Sequence, residues 1–310
     1  MEASLPNRII GDFQRGTEGP LLFVLAGLHG NEPAGVYALR RVFKRLEEEE
    51  IPFLGRFLGL CGNCKALALQ ERYIDRDLNR LWSSEEIARI KALPADQLNS
   101  EEAELLEILA LIDPAMSSSY SPQIYVDLHT TSGEGGIFSI VTEGERIRRL
   151  AESLFAPVVF NLVDELALTT SRFFEENGLV GLAFESGQHD NPKAIDNHEA
   201  AIWILLAEAG CIQPEEVPNF AQYPQRLKSA TQKLDRFLKV IYRHPIEASD
   251  AFVMEPGYEN FQAVSSGERL AHDHEGEILC PADGQILMPL YQKQGEDGFF
   301  IMKTLDTPPF

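Results

Sequence analysis

The stretch Leu21-Leu-Phe-Val-Leu-Ala26 decides the fold, because six consecutive apolar residues predict a strand that is buried on both faces. Gly27-Leu-His29-Gly-Asn-Glu32 follows it directly. Residues 33–48 then show the spacing of an amphipathic helix with a proline in its first turn. A buried strand that leads through a short loop into a helix is the repeating unit of an α/β sheet.

The same alternation continues through the first two thirds of the chain. Further strands are predicted at residues 53–60, 124–126, 137–141, 157–161 and 179–184. Helices are predicted from residue 85 onward and at residues 100–112, 146–155 and 192–209. This order of elements predicts an α/β protein with a mostly parallel, helix-covered sheet.

The pattern changes after Pro224. Residues 225–242 are predicted to form one connecting helix, and the chain beyond Pro245 breaks into short alternating runs separated by glycines. Such runs are typical of a small all-β domain. We therefore expect a main α/β domain at residues 1–224, followed by the connecting helix and an all-β C-terminal domain at residues 225–310.

The composition narrows the class of protein. The 310 residues carry a formal net charge of -21, and such a field repels nucleic acids and small anions alike. An anionic ligand therefore needs a local group of arginines. No apolar run is long enough to cross a bilayer, and the first ten residues lack the features of a signal peptide. We expect a soluble, cytoplasmic protein with no nucleic-acid or membrane partner, and homo-oligomerisation is left open.

Three of the predicted strands end in side chains that carry chemistry. The first strand leads to His29 and Glu32, the second leads to His129, and the third leads to Glu185. In open α/β sheets, ligands bind beyond the carboxyl ends of the strands. The predicted topology therefore brings these four side chains to the same edge of the sheet.

Two imidazoles and one carboxylate, with a fourth position left open, are a typical catalytic zinc set. Zinc polarises a carbonyl group and lowers the pKa of bound water to about 7, and a nearby carboxylate then takes the proton. Glu185 is the candidate for this general base. Taken singly, each histidine has the simpler interpretation of a structural hydrogen bond, and Glu32 that of a helix-stabilising acid. The joint pattern is more specific than its parts.

Arginines recur at residues 72, 76 and 80 in the segment Glu71-Arg-Tyr-Ile-Asp-Arg-Asp-Leu-Asn-Arg80. If this segment is helical, the four-residue spacing places them on one face. One interpretation is a surface patch that pairs with the acidic residues of the same segment. The other is a carboxylate site, since arginine binds carboxylates through a bidentate fork.

Four motifs occur together in one order. They are His-Gly-Asn-Glu at 29–32, Arg-Tyr-Ile-Asp-Arg-Asp-Leu-Asn-Arg at 72–80, Asp-Leu-His-Thr-Thr-Ser at 127–132 and Phe-Glu-Ser-Gly at 184–187. This set resembles the succinylglutamate desuccinylase/aspartoacylase family, which is grouped with the zinc carboxypeptidase-like hydrolases. The resemblance covers most of the chain and includes the small β domain at the C-terminus.

The resemblance implies one Zn2+ ion per chain, bound by His29, Glu32 and His129. It gives Glu185 the role of general base. The reaction that it implies is hydrolysis of the amide bond of a small anionic N-acyl amino acid by metal-activated water.

The resemblance also assigns roles to residues that contact the substrate. Arg72 matches the arginine that polarises the scissile carbonyl group, and removing such a donor costs roughly 2.7–4 kcal/mol. Asn79 and Arg80 match the pair that holds the α-carboxylate of the substrate. Arg172 is expected to read the side-chain carboxylate.

The chain departs from the family near its C-terminus, where Phe299-Phe300 replace a tyrosine pair of aspartoacylases. We therefore expect an N-acyl amino acid other than N-acetylaspartate or N-succinylglutamate. Two alternatives stay open, a carboxypeptidase-like metallopeptidase on short peptides and a non-catalytic metal- or metabolite-binding protein. A serine hydrolase is disfavoured, because Ser186 does not lie in a G-x-S-x-G motif.

Overall fold

The apolar stretch Leu21–Ala26 forms a strand in the interior of a large sheet, as predicted. The structure, a computed structural model, describes residues 6–142, 144–166 and 169–310, without the side chain of Arg146. The first five residues, which belong to the segment inspected for a signal peptide, lie outside it. None of the helices described there has the length and apolar character that a membrane crossing requires.

Up to residue 209, the predicted strands and helices are present in the predicted order, and the structure adds a strand at residues 9–15 and short helices at residues 64–69, 162–165 and 170–176. The strands are β1 (Ile9–Arg15), β2 (Leu21–Ala26), β3 (Gly55–Cys61), β4 (Gln123–Thr131), β5 (Phe138–Ile140), β6 (Val158–Phe160), β7 (Val180–Gln188), β8 (Phe237–Pro245), β9 (Val253–Met254), β10 (Ala263–Val264), β11 (Arg269–His272), β12 (Glu277–Leu279), β13 (Gly284–Leu287) and β14 (Asp297–Thr304). The helices are α1 (Ala34–Glu48), α2 (Cys64–Leu69), α3 (Ser84–Lys91), α4 (Ser100–Met116), α5 (Glu145–Ser153), α6 (Leu162–Glu165), α7 (Thr170–Glu176), α8 (Lys193–Ala209) and α9 (Gln222–Thr231).

Within the described residues, eleven strands form one sheet in the order β1-β3-β2-β4-β7-β5-β6-β8-β14-β13-β10. Strands β3, β2, β4 and β7 run parallel to one another, as do β5, β6 and β8. Strand β1, the β7–β5 pair and the strands beyond β8 are antiparallel to their neighbours. The predicted α/β class is confirmed, and the central strands are parallel as expected, whereas the sheet as a whole is mixed.

The side chains of β2 show why helices cover both faces of the sheet. Residues 22, 24 and 26 pack into one apolar cluster with α1 and α8. Residues 21, 23 and 25 pack into a second apolar cluster with α3 and α4. Because successive side chains of a strand point to opposite faces, a continuous apolar run requires cover on both sides.

The connecting helix predicted at residues 225–242 is wrong in its second half. Helix α9 ends at Thr231, and β8 begins at Phe237. Leu238 and Val240 are buried while their neighbours in β8 are less so, and this two-residue period is that of a strand. The β-branched pair Val240-Ile241 also favours a strand.

A small β region is present at the C-terminus, as predicted. It consists of the strands from β9 onward, and β9, β11 and β12 form a sheet of their own. Strand β8 pairs with β6 on one side and with β14 on the other, so the main sheet continues into this region. The division of the chain at residue 224 stays a prediction.

Helix α8 buries a histidine against the sheet. His198 is fully buried, and its ring meets the ring of Phe184 edge-on at a centroid distance of 5.9 Å. The backbone of His129 lies near this ring. Among the described residues, however, neither ring nitrogen of His198 has a hydrogen-bond partner of good geometry. Burial lowers the pKa of His198 to about 3, so the folded protein holds the neutral ring.

The substitution His198→Leu is expected to remove an acid-sensitive part of the stability. Protonation favours the unfolded chain, so this part is complete above pH 6.5 and is lost as the pH falls toward 3. In that window the free energy of unfolding of the wild type should fall by up to about 1.4 kcal/mol per pH unit more than that of the variant. Urea unfolding at several pH values, with chelator present, measures the difference. His272→Leu, at an exposed position, is the control, and equal slopes for His198→Leu and wild type would contradict the prediction.

Candidate metal centre and adjoining cavity

The turn between β2 and α1 presents His29 and Glu32 at the carboxyl end of β2. The Glu32 amide donates to the His29 carbonyl oxygen at 3.1 Å, which closes the turn. Gly30 is required at its centre, because a Cβ atom there would lie 2.1 Å from the backbone carbonyl carbon of Ala66. The Gly30 amide also donates to the Arg72 carbonyl oxygen at 3.1 Å, so the turn is tied to the arginine-rich segment.

His129 and Glu185 come from neighbouring strands. His129 lies near the carboxyl end of β4, and its partner in the parallel register of β7 is Glu185. Paired positions on adjacent strands point to the same face, so the two side chains lie side by side. The convergence predicted from the sequence is therefore observed.

Glu32 joins both histidines in one buried cluster. Its Oε1 atom lies 2.8 Å from Nδ1 of His29, and its Oε2 atom lies 3.1 Å from Nδ1 of His129. One potential ligand atom from each of the three side chains lies within 4.8 Å of the others. Burial alone would raise the pKa of Glu32, but the two imidazoles hold it well below its usual range. These donors fit a divalent transition metal such as zinc.

An aspartate lies behind each imidazole. Asp77 Oδ1 is 3.1 Å from Nε2 of His29, and Asp127 Oδ2 is 2.9 Å from Nε2 of His129. Burial would raise the pKa of Asp77, but His29 and Arg72 lower it well below its usual range. Histidines that bind metals usually donate their second ring N–H to such a carboxylate, which fixes the ring and leaves the other nitrogen for the ion. The aspartates thus direct both Nδ1 atoms at the cluster.

Glu185 is buried beside this cluster, with one carboxyl oxygen unpaired. Among the described residues, no group hydrogen-bonds to its Oε2 atom. Burial raises the pKa of Glu185 to about 8, although the neighbouring His129 acts to lower it. Buried polar groups are normally paired, and an unpaired carboxyl group of raised pKa in a cleft is typical of a catalytic acid or base.

Arg72 forms ion pairs with two carboxylates of this cluster. Its Nη1 atom is 3.4 Å from Glu32 Oε1, and its Nη2 atom is 3.1 Å from Asp77 Oδ2. Burial would lower the pKa of Arg72, but Asp77 and Glu32 raise it above its ordinary value. The guanidinium therefore stays charged at the edge of the metal-ligand candidates.

The three arginines of residues 72–80 do not share one helical face. The segment is irregular apart from a 3-10 turn at Leu78–Arg80. Arg76 is half exposed and pairs with Glu86, so the surface-patch interpretation applies to it. Arg72 and Arg80 instead line a cavity beside the cluster.

The polar side of this cavity includes the pair predicted to hold a carboxylate. Asn79 Oδ1 accepts a hydrogen bond from the Thr170 amide at 3.0 Å. Arg80 donates from Nη2 to Asp297 Oδ2 at 3.1 Å, and its Nε atom lies 3.3 Å from Glu296 Oε2. Both predicted residues therefore lie at the cavity, and Arg80 already has acidic partners.

The structure does not bring Arg172 to this site. Its side chain is exposed on α7, where it pairs with Asp164 and Glu176. It is absent from the described residues that line the cavity. Its predicted role in reading a substrate carboxylate has no support from this position.

The cavity has a volume of about 120 Å³ and reaches from the cluster to the C-terminal region. His189 lies at its rim, with Nδ1 2.7 Å from Thr130 Oγ1 and Nε2 3.1 Å from Gln292 Oε1. Gln292 Oε1 also accepts a bond from Asn31 Nδ2 at 2.7 Å. The segment that contains Gln292 is thereby tied to the β2–α1 turn and to His189 beside the cavity.

The sequence analysis missed several of these residues. Asp127 precedes His129 by two positions, and this spacing on a strand places both side chains on one face, so it was a readable signal. Asp77 was visible only as part of an arginine-rich segment. No sequence motif indicates that Glu296 and Asp297 pair with Arg80, because these ion pairs depend on how the C-terminal strands pack against the 3-10 turn.

The substitution Asp127→Asn is expected to weaken Zn2+ binding roughly 10- to 100-fold, because an amide orients and polarises the His129 ring less well than a carboxylate does. Competition against a chromogenic chelator measures the affinity. Asp297→Asn is the matched control, since this carboxylate lines the same cavity but pairs with arginines. Equal affinities for the two variants would show that Asp127 does not support the metal centre.

Comparison with known proteins identifies the family of this chain. The model of the succinylglutamate desuccinylase/aspartoacylase catalytic domain matches residues 18–201, which is more than half of the chain. A succinylglutamate desuccinylase from Shewanella putrefaciens is 27% identical over 279 residues, which cover 84% of this chain and 75% of that protein.

Two solved structures share the fold. The succinylglutamate desuccinylase/aspartoacylase from Rhodobacter sphaeroides superimposes with a TM-score of 0.67 at 20% identity, over 96% of this chain and 88% of that one. Murine aminoacylase 3 superimposes with a TM-score of 0.60 at 15% identity, over 94% and 95%. The resemblance inferred from the motifs is confirmed by the match of the family model. The chain belongs to the succinylglutamate desuccinylase/aspartoacylase family.

Proposed function

We propose that this protein is a zinc-dependent amidohydrolase that deacylates a small N-acyl amino acid. Membership of the family supports a hydrolase of this type. The observation that carries the proposal is the buried carboxyl group of Glu185 beside the donors of His29, Glu32 and His129, because its Oε2 atom has no hydrogen-bond partner among the described residues. A structural metal site has no use for such a group.

His29, Glu32 and His129 would hold the zinc ion. When bound, zinc polarises the carbonyl group of the substrate and makes a water molecule more acidic. The chain contributes the orientation of its ligands, since Asp77 and Asp127 fix the two imidazoles.

Glu185 would move the proton in this reaction. It takes a proton from the attacking water and delivers it to the leaving nitrogen. The water oxygen forms a bond to the carbonyl carbon while the C–N bond breaks, which yields a carboxylic acid and an amine. The acid proton then passes to the amine, so the products at neutral pH are a carboxylate and an ammonium ion. Burial makes Glu185 a stronger base than an exposed carboxylate, because its charge is not stabilised by solvent.

Arg72, Asn79 and Arg80 would bind the substrate. The Arg72 guanidinium lies next to Glu32 at the cavity wall, where it can stabilise negative charge that develops on the carbonyl oxygen. Asn79 and Arg80 line the same cavity and provide donors for one carboxylate. These donors give a strongly acidic protein a local site for an anionic substrate.

The substitution Glu185→Gln is expected to lower kcat by at least about 100-fold and to leave zinc content unchanged, because it removes the base but no ligand. Steady-state kinetics and metal analysis on one preparation measure both quantities. Ser186→Ala is the matched control at the next residue, whose buried hydroxyl group has no hydrogen-bond partner among the described residues, and it should keep near wild-type activity. Loss of zinc in Glu185→Gln would make Glu185 a ligand, and full activity would exclude it as the base.

The C-terminal region favours small substrates over peptides. Gln292 lines the cavity and bonds to Asn31, and Gln294 Nε2 donates to the Tyr73 carbonyl oxygen at 3.1 Å, so this segment is fixed against the β2–α1 turn and the arginine-rich segment. A fixed wall of this kind limits the length of substrate that the cavity admits.

We therefore expect N-acyl amino acids to be hydrolysed with a kcat/KM at least about tenfold higher than tri- and tetrapeptides. A panel of both classes, assayed by amine release from the zinc-loaded protein, makes the comparison. Faster hydrolysis of the peptides would favour the carboxypeptidase-like alternative, and zinc binding without hydrolysis of either class would favour the non-catalytic one.

A further inference from the structure

We propose that the cavity selects N-acyl amino acids with a single carboxylate and an apolar substituent, and that Asp297 enforces this choice by occupying Arg80. This inference rests on the proposed function and deepens it. It concerns the part of the cavity that lies beyond the metal-ligand candidates.

One wall of the cavity is apolar and begins next to Glu185. Ala183 precedes Glu185 by two residues on β7, so both side chains point to the same face. Ile140 pairs with Ala183 across the β5–β7 ladder. The wall continues through Leu162, Val163, Leu166 and Phe300.

This wall is the side of a buried apolar cluster that faces the cavity, and it is not made of isolated apolar side chains. Ile140, Leu162, Val163, Ala183 and Phe300 belong to one buried cluster between α6 and the strands β5, β7 and β14. A substrate group that rests on it loses its contact with water. Apolar groups gain from this burial, and charged groups require a partner to compensate for it.

The guanidinium groups at this cavity are already paired. Among the described residues that line it, the arginines are Arg72 and Arg80, and no lysine is present. Arg72 is bound by Glu32 and Asp77 within the catalytic cluster. Only Arg80 is left for the carboxylates of a substrate.

Arg80 belongs to a balanced set of four charges. Asp297 lies between Arg80, at 3.1 Å, and Arg243, at 2.5 Å, and Glu296 lies 3.3 Å from Arg80. The two guanidinium groups and the two carboxylates cancel. The side chain of Glu296 is 49% exposed and that of Asp297 is 13% exposed, so Glu296 is the partner that a substrate carboxylate can displace.

The site can therefore pair one substrate carboxylate with Arg80, and it has no positive charge for a second carboxylate. Asp297 stays in place because it forms ion pairs with both Arg80 and Arg243. Phe300 follows it by three residues on β14, so the charged set lies at the end of the apolar wall. A second carboxylate would have to displace Asp297 or rest on apolar side chains.

The first test compares substrates on the zinc-loaded wild type. N-acetyl-L-leucine and N-hexanoylglycine should each exceed N-acetyl-L-aspartate and N-succinyl-L-glutamate in kcat/KM by at least about tenfold, the scale of apolar pocket discrimination. The better of the first two shows whether the wall contacts the side chain or the acyl group. A preference for the dicarboxylic substrates would overturn the inference.

The second test uses two matched variants. Asp297→Asn frees a site between Arg80 and Arg243, so the kcat/KM ratio of N-acetyl-L-aspartate to N-acetyl-L-leucine should rise by about tenfold or more. Glu296→Gln removes one negative charge as well, but from the partner of Arg80 that a substrate can displace. It should therefore change kcat/KM by the same factor for both substrates and leave the ratio of the two values unchanged. Equal ratios in wild type and Asp297→Asn, with both proteins melting at similar temperatures, would exclude Asp297 as the selector.

A binding assay separates this inference from the proposed function. Calorimetry with L-leucine, hexanoate, L-aspartate and succinate needs no turnover. Tighter binding of leucine or hexanoate supports the selective cavity even if no amide is hydrolysed, in which case only the proposed function fails. Tighter binding of aspartate and succinate contradicts the selective cavity whatever the activity.

Discussion

The structure depends on the carboxylate of Glu32, which is buried between two imidazoles. Four carboxyl groups, those of Glu32, Asp77, Asp127 and Glu185, are buried around this point, and Arg72 is the guanidinium among them. Burying unpaired charge is costly unless ions or hydrogen bonds compensate for it. A divalent cation between the imidazoles and Glu32 would supply the missing positive charge. Burial also raises the pKa of Glu185, which favours the neutral form of this carboxyl group.

The predictable part of the site is the part that strand order dictates. His29, Glu32, His129 and Glu185 follow strands whose apolar runs are plain in the sequence, and parallel strands bring their carboxyl ends to one edge. Their chemistry predicts a metal set, and the structure brings His29, Glu32 and His129 close enough to hold one. The backing aspartates were harder to foresee, because an acidic residue near an arginine has many possible partners.

The less predictable part depends on the C-terminal region. Residues 237–242 belong to the helix predicted at residues 225–242, yet their buried positions alternate as in a strand. That strand carries the main sheet onward to β14. Asp297 and Phe300 reach the cavity only through this pairing, so no motif near the metal set could reveal them.

The parallel strands and the C-terminal strands contribute different residues to the site. The parallel strands β2, β4 and β7 position the metal-ligand candidates and Glu185. The C-terminal strand β14 adds Asp297 and Phe300 to the lining of the cavity beyond them. Loops and appended strands are free to change without disturbing the central sheet, which is how one scaffold serves different substrates.

The most direct test of this account is the metal content of the purified protein, measured together with its hydrolysis of N-acyl amino acids before and after chelation. The account predicts about one zinc ion per chain, loss of both zinc and activity with chelator, and recovery of both when zinc is restored. It also predicts that His129→Ala abolishes tight zinc binding. Full activity in protein freed of metal would contradict the central claim, as would failure of the reconstituted protein to bind zinc.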